Sequence, residues 1–318
     1  MVLSLEEIEK RVSDSYELPN EVLSKVPNPM VSIRTSTYNH GPYIRQCIEG
    51  VLMQKTTFSF EYIIGEDCST DETREIVLEY SKKYPNIIRV VTADYNVGSK
   101  ANGRRCIQRC RGKYMAICEG DDYWIDPLKL QKQFEFLEQN EEYSMCFHRC
   151  KEIFDGINKE EAFLHLESRE YTGFDILKKW TIPTASVLFR NYGDYLCQNC
   201  NGIFYGDIFL FLLLAEKGKL YCLPDIMSVY RRNLNGVTSL PYNTQLLYSY
   251  FRHYKSLDSF FKGKYHTILE KKILMTSLGL IKRLFPNPKC LYYLYIVFLS
   301  PRLLCKFLYK KIVKNECE

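Results

Sequence analysis

With 318 residues, 46% of them hydrophobic and 25% charged, the chain has the balance of a folded globular protein with room for one large domain and an appendage, and disorder is excluded as its default state. The formal net charge of +5 is unevenly spread: from Phe251 onward there are 14 Lys and Arg against 4 Asp and Glu, which leaves the first 250 residues mildly acidic. The opening "MVLSLEEIEKRV" is acidic and amphipathic where a secretory segment has positive charge followed by an apolar run, so a cytosolic protein is expected, and its thirteen cysteines are expected as free thiols. Cys197 and Cys200 form a C-x-x-C without a second pair at zinc-like spacing.

After a polar leader over residues 1–27, Met30 to Arg34 reads as a strand, "TYNHGPY" as a loop, and Ile44 to Met53 as an amphipathic helix. The unit repeats: a strand through Ile64, an acidic turn from Glu66 to Thr70, and a helix from about Asp71 to Tyr84 with Ser, Thr and Asp at its start. A third strand, "IIRVVTA", leads through "DYNVGSKANGRRCIQRC" to another helix, and "KYMAICEGDD" is the fourth strand. A helix over "LKLQKQFEFLEQN" and a less regular region to about Arg190 come next. Then Asp207 opens an apolar helix that stops at Gly218 before a short strand. From about Pro241 the chain reads as helical and basic. Strands alternating with helices predict an α/β fold with a doubly wound, mostly parallel sheet, and such sheets bind ligands at the carboxyl ends of their strands. Four polar clusters fall there: Thr37 to Asn39, Glu66 to Thr70, Asn96 to Asn102 and Glu119 to Asp122.

The last cluster, in "YMAICEGDDYW", sets Glu119, Asp121 and Asp122 at the mouth of a buried strand. Neighbouring carboxylates there repel one another unless a divalent cation relieves them, and an oxygen-rich site suits Mg²⁺ or Mn²⁺ completed by substrate phosphate. A solvated turn capping the next helix is the other reading of such a pair.

"VSIRTSTYNHGPYIRQCIEGVLMQ", "YIIGEDCSTDETREIV", "NVGSKANGRRCIQRCRGKYMAICEGDDYW" and "YGDIFLFLLLAEKGK", in this order over roughly residues 28 to 235, resemble the family 2 glycosyltransferases, inverting enzymes of the GT-A fold that use nucleotide-diphosphate sugars. The resemblance implies a catalytic domain over 28–240, with a nucleotide-sugar part at 28–125 and an acceptor part at 126–240, and a basic helical extension over 241–318. It puts Glu119-Gly120-Asp121 in the place of the family's D-x-D motif, with Asp121 as the direct ligand of Mn²⁺ or Mg²⁺. Glu119 replaces the usual first Asp and is expected at the ribose, at the metal or only at water, and Asp122 at the loop or the donor sugar. Asp67 matches the acidic residue that meets the nucleotide base, which fits uridine. Thr37, Tyr38 and Asn39 match the first-strand loop, where an aromatic ring lies against the base, although Ser36 stands where the family often has Pro. Asn96, Gly98 and Asn102 resemble the N-x-G loop, and Arg105, one turn on, is placed for either a phosphate or a surface ion pair.

Inverting transfer needs an oriented donor, a neutralised diphosphate and a base for the acceptor hydroxyl. Asp207 matches the family's catalytic base, and a helix N-terminus favours the ionised form that a base must start from; Asp194 is its rival. "YRRN" resembles a Tyr-Arg-x-His element in which Asn233 replaces the histidine and Arg231 or Arg232 meets the diphosphate. Thr181 to Asn191 corresponds to the acceptor side.

The uncharged stretch from Cys290 is about 12 residues long, too short to span a bilayer. Its flanks, "KKILMTSLGLIKRLF" and "PRLLCKFLYKKIVKN", have the composition of helices lying on an anionic membrane, and equally of helices packed on the catalytic domain or a partner subunit. The expected partners are a nucleotide-diphosphate sugar, a glycan or lipid-linked glycan acceptor and the cytoplasmic membrane face, with no nucleic acid. A nucleotidyltransferase would show a Gly-rich loop with lysine after the first strand, which "RTSTYNHGPY" lacks; a non-catalytic sugar-nucleotide scaffold would not need Asp121 and Asp207.

Overall fold

The acidic opening is a helix, α1 (Leu5–Ser13), whose cap Ser4 accepts from the Glu7 N–H at 3.1 Å, and a two-residue strand, β1 (Tyr16–Glu17), follows it. The computed structural model describes residues 3–20, 22, 29–155, 159–163, 166–179, 182–198, 201–233 and 242–299. Thr181, Cys200, the expected boundary at residues 240–241 and the last basic run from Pro301 lie outside these residues. The ten described cysteines are free thiols.

Next come β2 (Val31–Thr37), α2 (Gly41–Leu52), β3 (Phe60–Glu66), α3 (Thr73–Lys83), β4 (Ile88–Thr92), α4 (Ser99–Ile107) and β5 (Tyr114–Ile117). Strand β2 is buried along almost its whole length, as a parallel strand covered on both faces must be. Its buried polar groups are satisfied: Ser32 Oγ donates to Glu61 Oε1 at 2.6 Å, and Thr35 Oγ1 donates to the Cys118 carbonyl at 2.6 Å.

Beyond β5 lie β6 (Tyr123–Trp124), α5 (Lys129–Gln139), β7 (Tyr143–Phe154), β8 (Lys159–Ala162), β9 (Glu170–Tyr171), α6 (Gly173–Lys178), β10 (Leu188–Arg190), α7 (Gly206–Ala215) and β11 (Lys219–Arg232). The sheet runs β1-β4-β3-β2-β5-β10-β7-β11-β6, with β8 and β9 attached to β7 and β11. Strands β4, β3, β2 and β5 are mutually parallel, as are β7 and β11; β10 lies antiparallel between β5 and β7. The α/β fold with a mostly parallel, helix-flanked sheet is therefore the one expected.

Thr37 lies opposite Glu66, and the register brings the carboxyl ends of β2, β3, β4 and β5 to the same edge. Val31, Ile33, Ile44, Ile48, Tyr62 and Ile64 form the centre of the core beneath that edge.

By internal packing the chain divides into two compact units. One holds Leu3–Asn199 and Leu210–Ser239, which is the sheet; the other holds Cys200–Phe209 and Leu240–Glu318. The division falls within α7. The second unit is built on α8 (Thr244–Phe260), α9 (His266–Leu284) and α10 (Cys290–Phe298), packed through Leu247, Phe251, Ile273, Leu280 and Tyr293.

Candidate functional site

The loop after β2 and the loop after β3 are laced together. Asn39 takes φ 53°, a left-handed conformation that asparagine tolerates. Its N–H donates to Ser69 Oγ at 3.1 Å, its amide donates to Thr70 Oγ1 at 3.2 Å, and its Oδ1 accepts the Thr70 N–H at 2.8 Å. Cys68 in the facing loop also has positive φ, 57°, a conformation uncommon for residues other than glycine. Tyr38, in the first of these loops, is 41% exposed, so its ring is open to a planar group.

Asp67 is buried, and its oxygens accept from the Val97 and Gly98 N–H groups, both at 2.9 Å. Gly98, at φ 86°, supplies a backbone conformation that side-chain-bearing residues disfavour. Burial raises the Asp67 pKa against the opposing pull of the Val97 N–H and Arg105. The carboxylate thus shapes the loop after β4, where Asn96 is exposed.

Asn102 and Arg105 face inward. Asn102 Nδ2 donates to the Gly65 carbonyl at 2.8 Å, and its Oδ1 accepts from Arg105 Nε at 2.9 Å. Arg105 is fully buried and also donates to Ser15 Oγ at 3.1 Å and the Glu66 carbonyl at 2.9 Å. Its guanidinium is shut off from solvent and pairs with Asp67 at 3.4 Å, so the ion pair it makes is a buried one and not the surface pair expected.

The acidic turn after β5 splits its three carboxylates. Glu119 turns back to β2, where it accepts from Arg34 at 3.1 Å and the Ser36 N–H at 3.2 Å. Asp122 is buried and accepts the Arg231 N–H at 2.8 Å. Asp121, half-buried, accepts from Asn233 Nδ2 at 2.7 Å. Burial raises the pKa of both aspartates; Glu119 adds to the effect at Asp121 while His40 opposes it, and Asp121 adds to the effect at Asp122. A cation beside these carboxylates would reverse that effect.

Gly120 lets the turn meet the first loop. A Cβ there would lie 2.6 Å from His40 Nδ1 and 2.7 Å from Thr37 Oγ1.

Strand β11 completes the site. Arg231 Nε donates to the Asp121 carbonyl at 3.0 Å, its Nη2 donates to Gln46 at 2.8 Å, and its guanidinium lies 4.7 Å and 5.4 Å from the Tyr43 and Tyr123 ring centroids. Arg232 instead pairs with Glu152. Of the two arginines in "YRRN", Arg231 is the one beside the acidic turn, and Asn233 lies against Asp121. Tyr43 donates to Asp155 at the end of β7. Sequence reasoning missed His40, Tyr43 and Asp155: the last two are 112 positions apart, and no local spacing joins them.

Asp207 lies in the helical unit, half-buried in the first turn of α7. Asp194 is exposed in a short 3-10 turn, Gly193–Cys197, of the sheet unit.

Among the described residues no three His, Cys, Asp or Glu side chains converge closely enough to hold a metal by themselves. The hard oxygen donors present fit Mg²⁺ or Mn²⁺, which take few protein ligands and fill the rest with water and substrate phosphate.

Residues 32–194 match the model of Glycosyl transferase family 2. An uncharacterised protein from Mycobacterium tuberculosis is 38% identical over 208 residues, 65% of this chain and 60% of its own length; the match thus spans less than two thirds of that relative. The putative teichuronic acid biosynthesis glycosyltransferase TuaG of Bacillus subtilis is 32% identical, over 66% of this chain and 82% of its own. Among solved structures, S. aureus TarS 1-349 in complex with UDP-GlcNAc superposes with a TM-score of 0.53 at 16% identity, over 80% of this chain and 81% of its own. The mannosyltransferase PcManGT from Pyrobaculum calidifontis, in complex with GDP-Man and Mn²⁺, does so with 0.53 at 12%, over 96% and 88%. At such identities these two likenesses speak for the fold.

Proposed function

The chain belongs to the family 2 glycosyltransferases, and from that premise we propose that it moves a sugar, with inversion, from a nucleotide diphosphate to an acceptor hydroxyl. The observation that carries the reading is the edge at which the carboxyl ends of β2, β3, β4 and β5 gather, with Arg231 of β11 tied to the acidic turn and Asn233 to Asp121.

In this reading Tyr38 flanks the base, Asp67 fixes the backbone of the loop beneath it, and the Arg231 guanidinium faces the diphosphate. Asp121 holds a divalent cation, which neutralises the diphosphate as it leaves. Asn233 orients Asp121 through its amide, and Asp122 ties the acidic turn to β11. Glu119, engaged by Arg34 and Ser36, steadies the turn from the other side. Uridine is the first base to test and guanosine the second. The acceptor class, a glycan or lipid-linked glycan, is supported by the 32% identity to TuaG.

Asp207 is the proposed base, a carboxylate in the first turn of α7, where a helix N-terminus favours negative charge. Replacing Asp207→Asn should leave nucleotide binding intact and lower transfer by about 10²–10⁴-fold, the range for losing a general base. Release of the nucleoside diphosphate across a panel of sugar donors measures this, and equal rates for parent and variant would remove the assignment.

A further inference from the structure

Helix α10, "CLYYLYIVF", is apolar on every side, the pattern of a helix covered all round, yet among the described residues only one side of it is covered. Tyr293 and Ile296 pack among Leu247, Phe251, Ile273 and Leu280 of α8 and α9, with Cys290 and Val297 also buried. Leu291, Tyr292, Tyr295 and Phe298, with Leu299 just beyond, are between 54% and 72% exposed, and their spacing puts them on one face. The turn from α9 adds Phe285, 74% exposed. A continuous apolar face of this kind marks a contact site.

Charge identifies the partner. Residues 262–299 contain seven Lys and Arg against one Glu, and Lys282, Arg283 and Lys289 are exposed around the turn that leads into the face. A second copy of the chain would set this patch against itself in a two-fold contact, cation facing cation, and Lys is depleted from the cores of protein interfaces. No described helix is long and apolar enough to cross a membrane. We infer that the exposed face of α10 lies in the headgroup layer of an anionic bilayer, with its Tyr and Phe rings at the interface and the basic turn against lipid phosphate. The inference names the membrane partner of the proposed reaction but stands on the helical unit alone, so either can fail without the other.

Flotation of the full chain with vesicles tests it. Phosphatidylglycerol-containing vesicles should carry the protein at low salt, with at least roughly tenfold less on pure phosphatidylcholine or at about 0.5 M salt. The triple variant Tyr295→Ser, Phe298→Ser, Leu299→Ser should lose at least roughly tenfold of that binding while keeping its melting temperature and its response to nucleotide. Should that variant fold poorly, the charge variant Lys282→Glu, Lys289→Glu should show the same loss. The inference is overturned if the parent does not float with anionic vesicles, or if the variants float as well as the parent. It is equally overturned if the parent forms a dimer that the triple variant dissolves, which would seat a second copy on the face.

Discussion

Lys129 is fully buried, its Nζ 2.7 Å from Gln133 Oε1 and 4.0 Å from the Trp124 ring centroid. Burial depresses its pKa to about 7, against roughly 10.4 in an unfolded chain. Between those values the unfolded chain binds a proton that the folded chain does not. The Lys129 contribution to stability should therefore grow with pH from about 7 to about 10, with a limiting slope of about 1.4 kcal/mol per unit, while the buried thiols, whose pKa values burial raises, pull the other way above about pH 8. Denaturant unfolding at pH 7, 8 and 9 checks this: the stability difference between parent and Lys129→Met, in which the thiol contributions cancel, should shift in the parent's favour as pH rises, and a constant difference would contradict it. Arg105 gives a second test. Replacing Arg105→Met leaves Asp67 buried without its cation and should cost about 3–5 kcal/mol, read as a lowered melting temperature, whereas a phosphate-binding arginine would leave the unliganded melt unchanged. The structural job of Arg105 was illegible in the sequence because two of its partners, Ser15 and the Glu66 carbonyl, are 90 and 39 positions away. Asp121 was legible because a carboxylate cluster after an apolar run is itself local.

At the scale of elements, each β-loop-α repeat up to β5 was readable because apolar runs, polar turns and capped helix starts alternate within short windows. Strands β7 and β11 were not. Strand β11 is 14 residues long but contains Pro224 and Asp225 and shifts register against β7 near Leu223 and Ile226, so its alternation is broken and only a short strand was expected. Strand β7 fell in the region read as irregular, its pattern hidden by buried His148 and Ser144. These two strands deliver Asp155, Arg231 and Asn233, which is why the far half of the site was less legible than the near half. The contact between the first loop and the acidic turn is open to test through Gly120. Replacing Gly120→Ala forces the turn away from Thr37 and His40 and should destabilise the fold by about 1–3 kcal/mol. It should also weaken nucleoside-diphosphate binding in calorimetry, and unchanged affinity would mean that the two loops need not touch to bind.

On the scale of the whole molecule, the split between an acidic body and a basic tail corresponds to a sheet unit and a helical unit. Charge along the sequence does not report that Cys200–Phe209 goes with the helical unit or that residues 3–20 pack with the sheet, where β1 pairs with β4, because a short amphipathic helix looks the same wherever it docks. The central claim is that the carboxyl edge of the sheet binds a nucleoside diphosphate through a cation held by Asp121. Thermal melting with UDP and GDP, with and without Mn²⁺ or Mg²⁺, on the parent and on Asp121→Asn tests this most directly. One diphosphate should raise the parent's melting temperature only when metal is present, by the equivalent of about 2.7 kcal/mol at a hundredfold excess over Kd, and the variant should show no such rise. A parent that no diphosphate stabilises, or a variant stabilised as much as the parent, would contradict it.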